Sequence, residues 1–247
     1  MHPLAVRSQA LCLSRTGLSD QEVGRRLGLP RGTVQYIRVT ASRPPNACPR
    51  CWRGARRIDF DAGDYAELFG LYLGDGCLSP TGRTTRLRIA LDANYPGIIW
   101  DATQLLKRCF PSNRVDVVET RERSWVAVSV YCSHLPCLFP QHGRGKKHER
   151  AIAVEEWQRE LIRAAPWGLI RGLISSDGCS FVNSTGPYRY LTYDFSNRSR
   201  DIVLLLLTTL DLVDVGYRVT SHRGTWRVRI NRRDNVAQLV AHVGLKK

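Results

Sequence analysis

The sequence predicts an α+β fold in which two pseudo-symmetric αββαββα repeats follow a small all-α domain. An internal repeat is the main observation: "ELFGLYLGDGCLS" (67–79) aligns without a gap with "LIRGLISSDGCSF" (169–181), 102 residues later. A second observation is that similar strand and helix patterns follow both copies. A third is the 3.6-residue apolar period between residues 5 and 39, which predicts helices only.

The elements of the two repeats correspond in order. The matching strand, helix and strand patterns are "RLRIALD" (86–92) with "YLTYDFSN" (190–197), "YPGIIWDATQLLKRCF" (95–110) with "SRDIVLLLLTTLDLV" (199–213), and "WVAVSVY" (125–131) with "WRVRI" (226–230). A closing helix is expected after residue 133 and another after residue 233. The repeats therefore span about 60–150 and 151–247 of one domain, 60–247.

Small residues lie one turn apart in each repeated helix, at Gly70 and Gly74 in the first and at Gly172 and Ser176 in the second. Such a face lets two helix backbones approach closely. A glycine inside a helix costs about 1 kcal/mol relative to alanine, so a compensating interaction is expected. We therefore expect the two repeated helices to pack tightly against each other.

Each repeated helix ends in Asp-Gly, at Asp75-Gly76 and Asp177-Gly178. The two glycines suit a left-handed cap position. The two aspartates lie at the negative end of the helix dipole and would repel each other if the helices pack side by side, unless a divalent cation lies between them. An Asp-Gly turn into a hairpin is the alternative for a single copy. Two copies in register favour a metal site.

The first 40 residues predict three helices, over about 6–15, from a capping box at Ser19 and Glu22 through 27, and from Pro30 through about 38. "GLSDQEVGRRLGLPRGTVQYIR" resembles the helix-turn-helix segments of resolvases and bacterial regulators, which implies DNA binding. The alternative is an ordinary three-helix subdomain. In the third helix Val34 and Ile37 should face the core. The polar side chains left for a DNA groove are Arg31, Thr33, Gln35, Tyr36 and Arg38.

Residues 41–59 predict a basic linker in which Cys48 and Cys51 have the spacing of a zinc knuckle. A tetrahedral zinc site needs two more ligands, and the nearest cluster is Cys132, His134, Cys137 and His142. If residues 133–139 are helical, His134 and Cys137 share one face and complete the site. A pair of free thiols in a basic linker is the equal alternative.

The charge points to a polyanionic partner. The 247 residues contain 37 Lys plus Arg against 22 Asp plus Glu, a net charge of +15, and residues 1–57 alone carry +9. The excess of arginine suits phosphate and base contacts, although GC-rich coding would give the same bias. No apolar run reaches membrane-spanning length and the start is not a signal peptide, so we expect a cytoplasmic protein associated with the bacterial nucleoid.

The segments "FGLYLGDG" (69–76) and "LIRGLISSDG" (169–178) resemble the paired motifs of LAGLIDADG homing endonucleases in their single-chain form. The resemblance covers about residues 60–245. It implies a saddle of two four-stranded sheets astride double-stranded DNA, with Asp75 and Asp177 binding Mg²⁺ or Mn²⁺ at the scissile phosphates. It also implies a monomer, freestanding or intron-encoded. The consensus often has an acid two residues before the last one, where this chain has Leu73 and Ser175.

In that family a basic residue before the second motif often assists catalysis. Here the segment is "PQHGRGKKHER" (140–150), and Lys147 is the candidate, with His148 and His142 behind it. A solvated basic loop is the alternative. The second repeat offers no clear lysine counterpart, because Arg229 and Asn231 lie near the equivalent place, and this predicts unequal rates of strand nicking.

Strand periodicity gives candidate DNA contacts on both repeats. Leu87 and Ile89 should face the core, and the outward side chains are Arg86, Arg88, Arg189, Arg227 and Arg229. Outward arginines suit a β-ribbon in a major groove, although any half-exposed antiparallel sheet alternates in this way.

The sequence as a whole predicts a site-specific, Mg²⁺-dependent DNA endonuclease with structural zinc as a second metal. The alternative is a transcriptional regulator on the same scaffold, which actinobacterial sporulation regulators resemble. The two retained aspartates favour the enzyme. A third hypothesis, that the protein is a recombinase accessory factor, is supported by the N-terminal motif alone.

Overall fold

The computed structural model describes residues 4–41, 60–82, 84–119 and 124–246. The chain divides into two compact units, Met1–Arg57 and Ile58–Lys247, which are described separately below. Within the described ranges, every helix is too short or too polar to cross a lipid bilayer.

The N-terminal unit contains three helices, α1 Leu4–Arg15, α2 Asp20–Leu27 and α3 Arg31–Ala41. They enclose a small core of Ala10, Val23, Val34 and Ile37, so the expected inward positions of α3 are confirmed. At the start of α2, the Ser19 hydroxyl accepts a hydrogen bond from the Glu22 N–H at 3.2 Å. The Glu22 carboxylate pairs with Arg25 and Arg26, so the interaction expected to complete the capping box goes to arginines instead.

The second unit carries the repeats. Its first repeat consists of α4 Ala62–Gly74, β1 Gly76–Thr81, β2 Thr84–Asp92, α5 Pro96–Cys109, β3 Val115–Glu119, β4 Trp125–Tyr131 and α6 Leu135–Leu138. A 3₁₀ turn, Lys147–Glu149, and α7 Glu156–Ala164 follow. The second repeat consists of α8 Pro166–Asp177, β5 Gly178–Thr185, β6 Tyr188–Asn197, α9 Arg200–Asp211, β7 Arg218–His222, β8 Thr225–Ile230 and α10 Arg233–His242.

Each repeat folds its strands into an antiparallel sheet of four, in the orders β1-β2-β4-β3 and β5-β6-β8-β7. The registers also correspond, since Ile89 pairs with Gly76 and Val128 while Phe195 pairs with Gly178 and Val228. The predicted α+β class and the two αββαββα repeats are therefore confirmed.

The closing helices differ between the repeats. The first, α6, has only 4 residues, while α10 has 10. Pro136 lies in the first turn of α6, and Pro140 follows soon after its end, where proline disfavours continuation of a helix. Helix α7 was not predicted. Its N-terminus is a capping box in which the Gln158 side chain accepts a hydrogen bond from the Glu155 N–H at 3.0 Å.

The two motif helices, α4 and α8, pack backbone to backbone in the centre of the second unit. A Cβ atom on Gly70 would lie 2.8 Å from the Leu169 carbonyl oxygen, and one on Gly172 only 2.2 Å from that of Glu67. Near the ends of the helices, a Cβ atom on Gly74 would lie 2.1 Å from Ser176 Oγ. The predicted tight helix contact is confirmed, and glycine permits it. Around it, the inner faces of both sheets form one hydrophobic core.

Candidate active site

The close packing of α4 and α8 brings the two motif aspartates to one end of the helix pair. Asp177 is the last residue of α8, and Asp75 directly follows α4. A Cβ atom on Gly74 would lie 3.1 Å from Asp177 Oδ2, so the second carboxylate reaches the end of the first helix. Both side chains are half-buried. The two acids therefore share one partly desolvated site.

The glycine after each aspartate does not have the left-handed conformation that the sequence suggested. Gly178 is extended, with φ −98° and ψ 167°, and Gly76 begins β1 without a positive φ. The chain turns from helix directly into strand, and close approach is what excludes a side chain. A Cβ atom would lie 2.5 Å from Tyr72 Cα at Gly76 and 2.6 Å from the Ile174 carbonyl oxygen at Gly178.

The environment of the acids favours a proton or a cation. Burial, and after it the negative charge of Asp177, raise the pKa of Asp75 from 3.8 to about 6, against the opposing effect of Lys246 and Lys147. Burial also raises the pKa of Asp177. Asn197 Nδ2 opposes this rise by donating a hydrogen bond to Asp177 Oδ2 at 2.7 Å. The two acids are therefore inequivalent.

Lys147 lies directly against the end of the first motif helix. Its Nζ donates hydrogen bonds to the carbonyl oxygens of Tyr72 at 2.5 Å, Gly74 at 3.0 Å and Gly76 at 2.6 Å. An ammonium group has three N–H donors, so these contacts use all of them. Burial lowers the pKa of Lys147 from 10.5 to about 8, although Asp177 and Asp75 oppose that shift. The ammonium neutralises the negative end of α4 beside the acids.

The second repeat has an equivalent lysine, so the expectation that none exists was wrong. Lys246 Nζ donates to the carbonyl oxygens of Ser176 and Gly178, both at 3.0 Å. Burial lowers its pKa, and both motif aspartates oppose the shift. Lys246 comes 99 residues after Lys147 instead of the 102 that separate the motifs, because the loops after the closing helices differ in length. The sequence offered one sign of a role for Lys246, which is that the chain has only five lysines.

The loop that carries Lys147 is folded around Arg150. Its guanidinium donates to the carbonyl oxygens of Gln141 at 2.8 Å, Gly143 at 2.9 Å and Gly145 at 3.1 Å. This loop and the second motif border a cleft of about 460 Å³ that contains the Asp177 carboxylate. The lesser candidates, His142 and His148, also line the cleft. His142 Nδ1 lies 3.0 Å from the Phe139 carbonyl oxygen, and His148 Nε2 lies 3.8 Å from Glu149.

Comparison with solved structures identifies the fold of the second unit. I-DmoI in complex with DNA and Mn aligns with a TM-score of 0.51 and 18% identity, over 75% of this chain and 98% of that chain. Variants of the homing endonuclease I-DmoI align at 0.50 and 18%, over 74% and 96%. Full-length DUF199/WhiA from Thermatoga maritima aligns at 0.50 and 14%, over 78% of this chain and 58% of that chain.

The second unit has the LAGLIDADG fold. At these identities the likeness shows the fold alone. No protein-family model matches the sequence, and neither does any curated protein.

The open face of each LAGLIDADG sheet carries the expected arginines, most of them with neighbours that the sequence did not reveal. Arg86 Nη2 donates to Ser129 Oγ at 3.0 Å, and the Arg88 guanidinium lies 5.8 Å from the Trp125 ring centre. On the second sheet, Arg189 is exposed near the tip of β6. Arg229 forms a two-bond ion pair with Asp194, and Arg227 lies 3.8 Å from the same carboxylate. An aspartate inside a strand pattern was the signal for this pair.

In the N-terminal unit, the side chains of Arg31, Gln35 and Tyr36 are exposed along α3, and Thr33 is half-buried. Arg38 is exposed as well, and its Nη2 donates a hydrogen bond to Asp20 Oδ2 at 2.9 Å. All five side chains predicted for a DNA groove are thus at least partly exposed on the helix.

The predicted zinc ligands are only partly within the described chain. Cys48 and Cys51 lie outside it. His134 precedes α6, and the Cys137 N–H within α6 donates to the His134 carbonyl oxygen at 2.9 Å, so these two residues share a turn. Residues 4–41, 60–82, 84–119 and 124–246 contain no group of three or more His, Cys, Asp or Glu that could hold a metal. The zinc site stays a prediction.

Proposed function

We propose that the protein is a site-specific endonuclease that hydrolyses phosphodiester bonds in double-stranded DNA with a divalent metal ion. The observation that carries the proposal is the pair of aspartates, Asp75 and Asp177, held at one end of two packed helices with a lysine beside each. Desolvation and mutual repulsion make an unneutralised pair unfavourable. A cation between the carboxylates removes both costs.

The residues fit Mg²⁺ or Mn²⁺. Magnesium sites commonly use one or two carboxylates and take their remaining ligands from water and substrate phosphates, so two acids suffice when DNA is bound. The ion would stabilise charge on the phosphate and lower the pKa of an attacking water. Asp75 and Asp177 would hold it at the scissile phosphates. Their inequivalence, with Asn197 bonded only to Asp177 among the described side chains, supports different cleavage rates on the two strands.

The two lysines have different roles in this proposal. Lys147 uses all three N–H groups on backbone carbonyls, so it fixes the end of α4 and supplies positive charge to the site. Lys246 bonds to two carbonyls, and one N–H remains without a hydrogen-bond acceptor in the described chain. That donor is available to a phosphate oxygen or an attacking water. Lys246 thus joins Asp75, Asp177 and Lys147 as a candidate catalytic residue.

DNA contact follows from charge and geometry. The open sheet faces present Arg86, Arg88, Arg189, Arg227 and Arg229, and antiparallel strands of this kind fit a major groove. Helix α3 supplies a second contact through Arg31, Thr33, Gln35 and Tyr36. The protein works as a monomer because both motifs come from one chain. Structural zinc, for which Cys48 and Cys51 are the first candidate ligands by their spacing, and a location at the nucleoid complete the proposal.

A metal-free transcriptional regulator is the second candidate. The observation in its favour is that Lys147 and Lys246 already balance the charges of Asp75 and Asp177. DUF199/WhiA is one of the solved structures with this fold. A metal-free regulator would bind a DNA sequence and leave it intact.

Incubation of a randomised duplex library with the full chain and Mg²⁺ separates the two candidates. The endonuclease is expected to cut a defined sequence, and Asp75→Asn and Asp177→Asn are expected to bind that sequence without cutting it. Selective binding without cleavage in Mg²⁺ or Mn²⁺ would leave the regulator.

A further inference from the structure

Asp194 is an acid in the middle of the arginine-bearing face of the second sheet. Its side chain is only 6% exposed although it projects from the open side of β6. Its ionic partners are Arg229 and, more distantly, Arg227. A carboxylate on a surface that approaches DNA phosphates is unfavourable by itself. The placement of Asp194 on this face therefore calls for a functional explanation.

The ion pair fixes the orientation of Arg229. Asp194 accepts hydrogen bonds from Nε and Nη2 of Arg229, both at 2.9 Å, and the two residues are direct cross-strand partners. The end of the guanidinium, with both N–H groups of Nη1 and the second of Nη2, has no protein acceptor among the described residues. The side chain is 36% exposed. Arg229 thus keeps a rigid two-donor fork directed outward.

The first sheet has different chemistry at the equivalent place. By strand register, the pair Asp194 and Arg229 corresponds to Arg88 and Ser129. Arg88 is exposed and lies over the Trp125 ring without a carboxylate partner among the described residues. The first sheet thus presents an arginine whose charge has no carboxylate beside it among the described residues, and the second presents a fixed fork whose charge is largely cancelled. A cancelled charge adds little to sequence-independent affinity.

We propose that Asp194 positions Arg229 to read a guanine in the major groove, which makes the second half-site specific for a G·C pair at that position. This inference rests on the proposed DNA binding and deepens it. A planar arginine fork matches the O6 and N7 acceptors of guanine, and no other base presents two acceptors there. Holding the fork before DNA arrives removes the cost of ordering a long side chain at binding. We therefore expect the two half-sites of the DNA target to differ in sequence, with this specific G·C pair in the half contacted by the second sheet.

The test is selection of a randomised duplex library by the full chain in Ca²⁺, followed by sequencing of the bound DNA. Arg229→Lys keeps the charge and removes the fork. We expect it to lose the preference for one G·C pair by about tenfold and to retain the rest of the motif. The matched control is Arg218→Lys, because Arg218 is exposed and lies opposite Arg229 on β7. We expect this control to leave the motif unchanged.

Asp194→Asn separates positioning from structure. We expect it to weaken the preference at the same base pair and to raise affinity for random DNA a few-fold, because it adds one unit of positive charge to the sheet. Loss of affinity for every sequence would indicate a structural role and overturn the inference. Thermal unfolding checks the fold of each variant, and Arg229→Gln, which also removes the fork, replaces any variant that does not fold.

The remaining outcomes distinguish this inference from the proposed function. If the wild type selects a motif and Arg229→Lys leaves it unchanged, or if the lost preference is for an A·T pair, the inference is wrong and the DNA-binding proposal stands. If the wild type selects no sequence, both are wrong.

Discussion

Lys246 makes in the second repeat the contact that Lys147 makes in the first. Each ammonium bonds to the carbonyl oxygens on both sides of a motif aspartate, those of Gly74 and Gly76 for Lys147 and those of Ser176 and Gly178 for Lys246. Two carboxylates and two ammonium groups thus lie close together where α4 and α8 end. The predictions below follow from this cluster and from the helix contact that creates it.

Replacing Asp75 by asparagine should stabilise the metal-free protein at neutral pH. Burial raises the pKa of Asp75 to about 6, so the folded state binds more protons than the unfolded state between about pH 4 and 6. The stability that this group contributes is present below pH 4 and falls as the pH rises through 6. With EDTA present, Asp75→Asn should raise the free energy of unfolding at pH 8 by roughly 2 kcal/mol, and by little at pH 4.

Urea unfolding at the two pH values measures this effect. Asp101→Asn, at an exposed position on α5, is the control and should change stability little at either pH. An Asp75→Asn variant that is no more stable than the wild type at pH 8 would contradict the electrostatic description of the site.

A divalent ion should stabilise the wild type in a pH-dependent manner. In the proposed function Mg²⁺ binds the folded protein through Asp75 and Asp177, and a ligand at one hundred times its Kd adds about 2.7 kcal/mol. Because Asp75 must lose its proton, this gain should disappear as the pH falls through about 6. Thermal unfolding with and without Mg²⁺ tests it. An equal gain in Asp75→Asn or Asp177→Asn would place the ion elsewhere.

Loss of Lys147 should cost more stability than loss of Lys246. Three hydrogen bonds to backbone carbonyls are removed in Lys147→Met and two in Lys246→Met. We expect a destabilisation of about 2–3 kcal/mol for Lys147→Met and about 1–2 kcal/mol for Lys246→Met.

The pH profile identifies the lysine effect. Because the folded pKa of Lys147 is near 8 and its unfolded value near 10.5, the unfolded state binds more protons in that range. Wild-type stability should therefore contain a contribution that rises between pH 8 and 10.5 and is absent from Lys147→Met. Chemical denaturation across this range provides the measurement. Identical profiles for wild type and variant would contradict the buried position of the ammonium.

Alanine at Gly172 should disrupt the LAGLIDADG unit. Its Cβ atom would lie 2.2 Å from the Glu67 carbonyl oxygen on α4, and backbone cannot yield as a flexible side chain can. We expect a loss of at least about 3 kcal/mol or failure to fold. Gly32→Ala, in α3, is the matched control. Nothing lies within 4 Å of its Cβ position, so helix propensity should stabilise that unit by up to about 1 kcal/mol.

The features that the sequence predicts are those that leave a periodic or repeated pattern of residues. The sheet faces follow from two-residue alternation, as with Leu87 and Arg88, and the helix contact follows from small residues repeated in register. The approach of Asp75 and Asp177 is then a consequence of symmetry. The sequence does not predict features that depend on which residues face each other across paired strands. Asp194 and Arg229 are 35 residues apart and meet only through strand pairing.

Loop length conceals the second lysine, because residues that end at equivalent places in space need not be at equal offsets in sequence. Lys246 reaches the end of α8 after a short loop from α10, while Lys147 reaches the end of α4 from a longer loop held by Arg150. The conformations of Gly76 and Gly178 were misjudged for a related reason. A glycine after a helix usually favours a left-handed cap. Here glycine is required for another reason, because a Cβ atom would collide with the backbone of Tyr72 or Ile174.

Strand-resolved cleavage of a selected duplex in Mg²⁺ tests the central claim most directly. The wild type should cut both strands at defined positions and at unequal rates, because Asn197 bonds to Asp177 while Asp75 has no such donor among the described side chains. Asp75→Asn and Asp177→Asn should each bind the duplex with at least wild-type affinity and lose cleavage. Intact DNA with the wild type, or cleavage that persists in both variants, would contradict the claim.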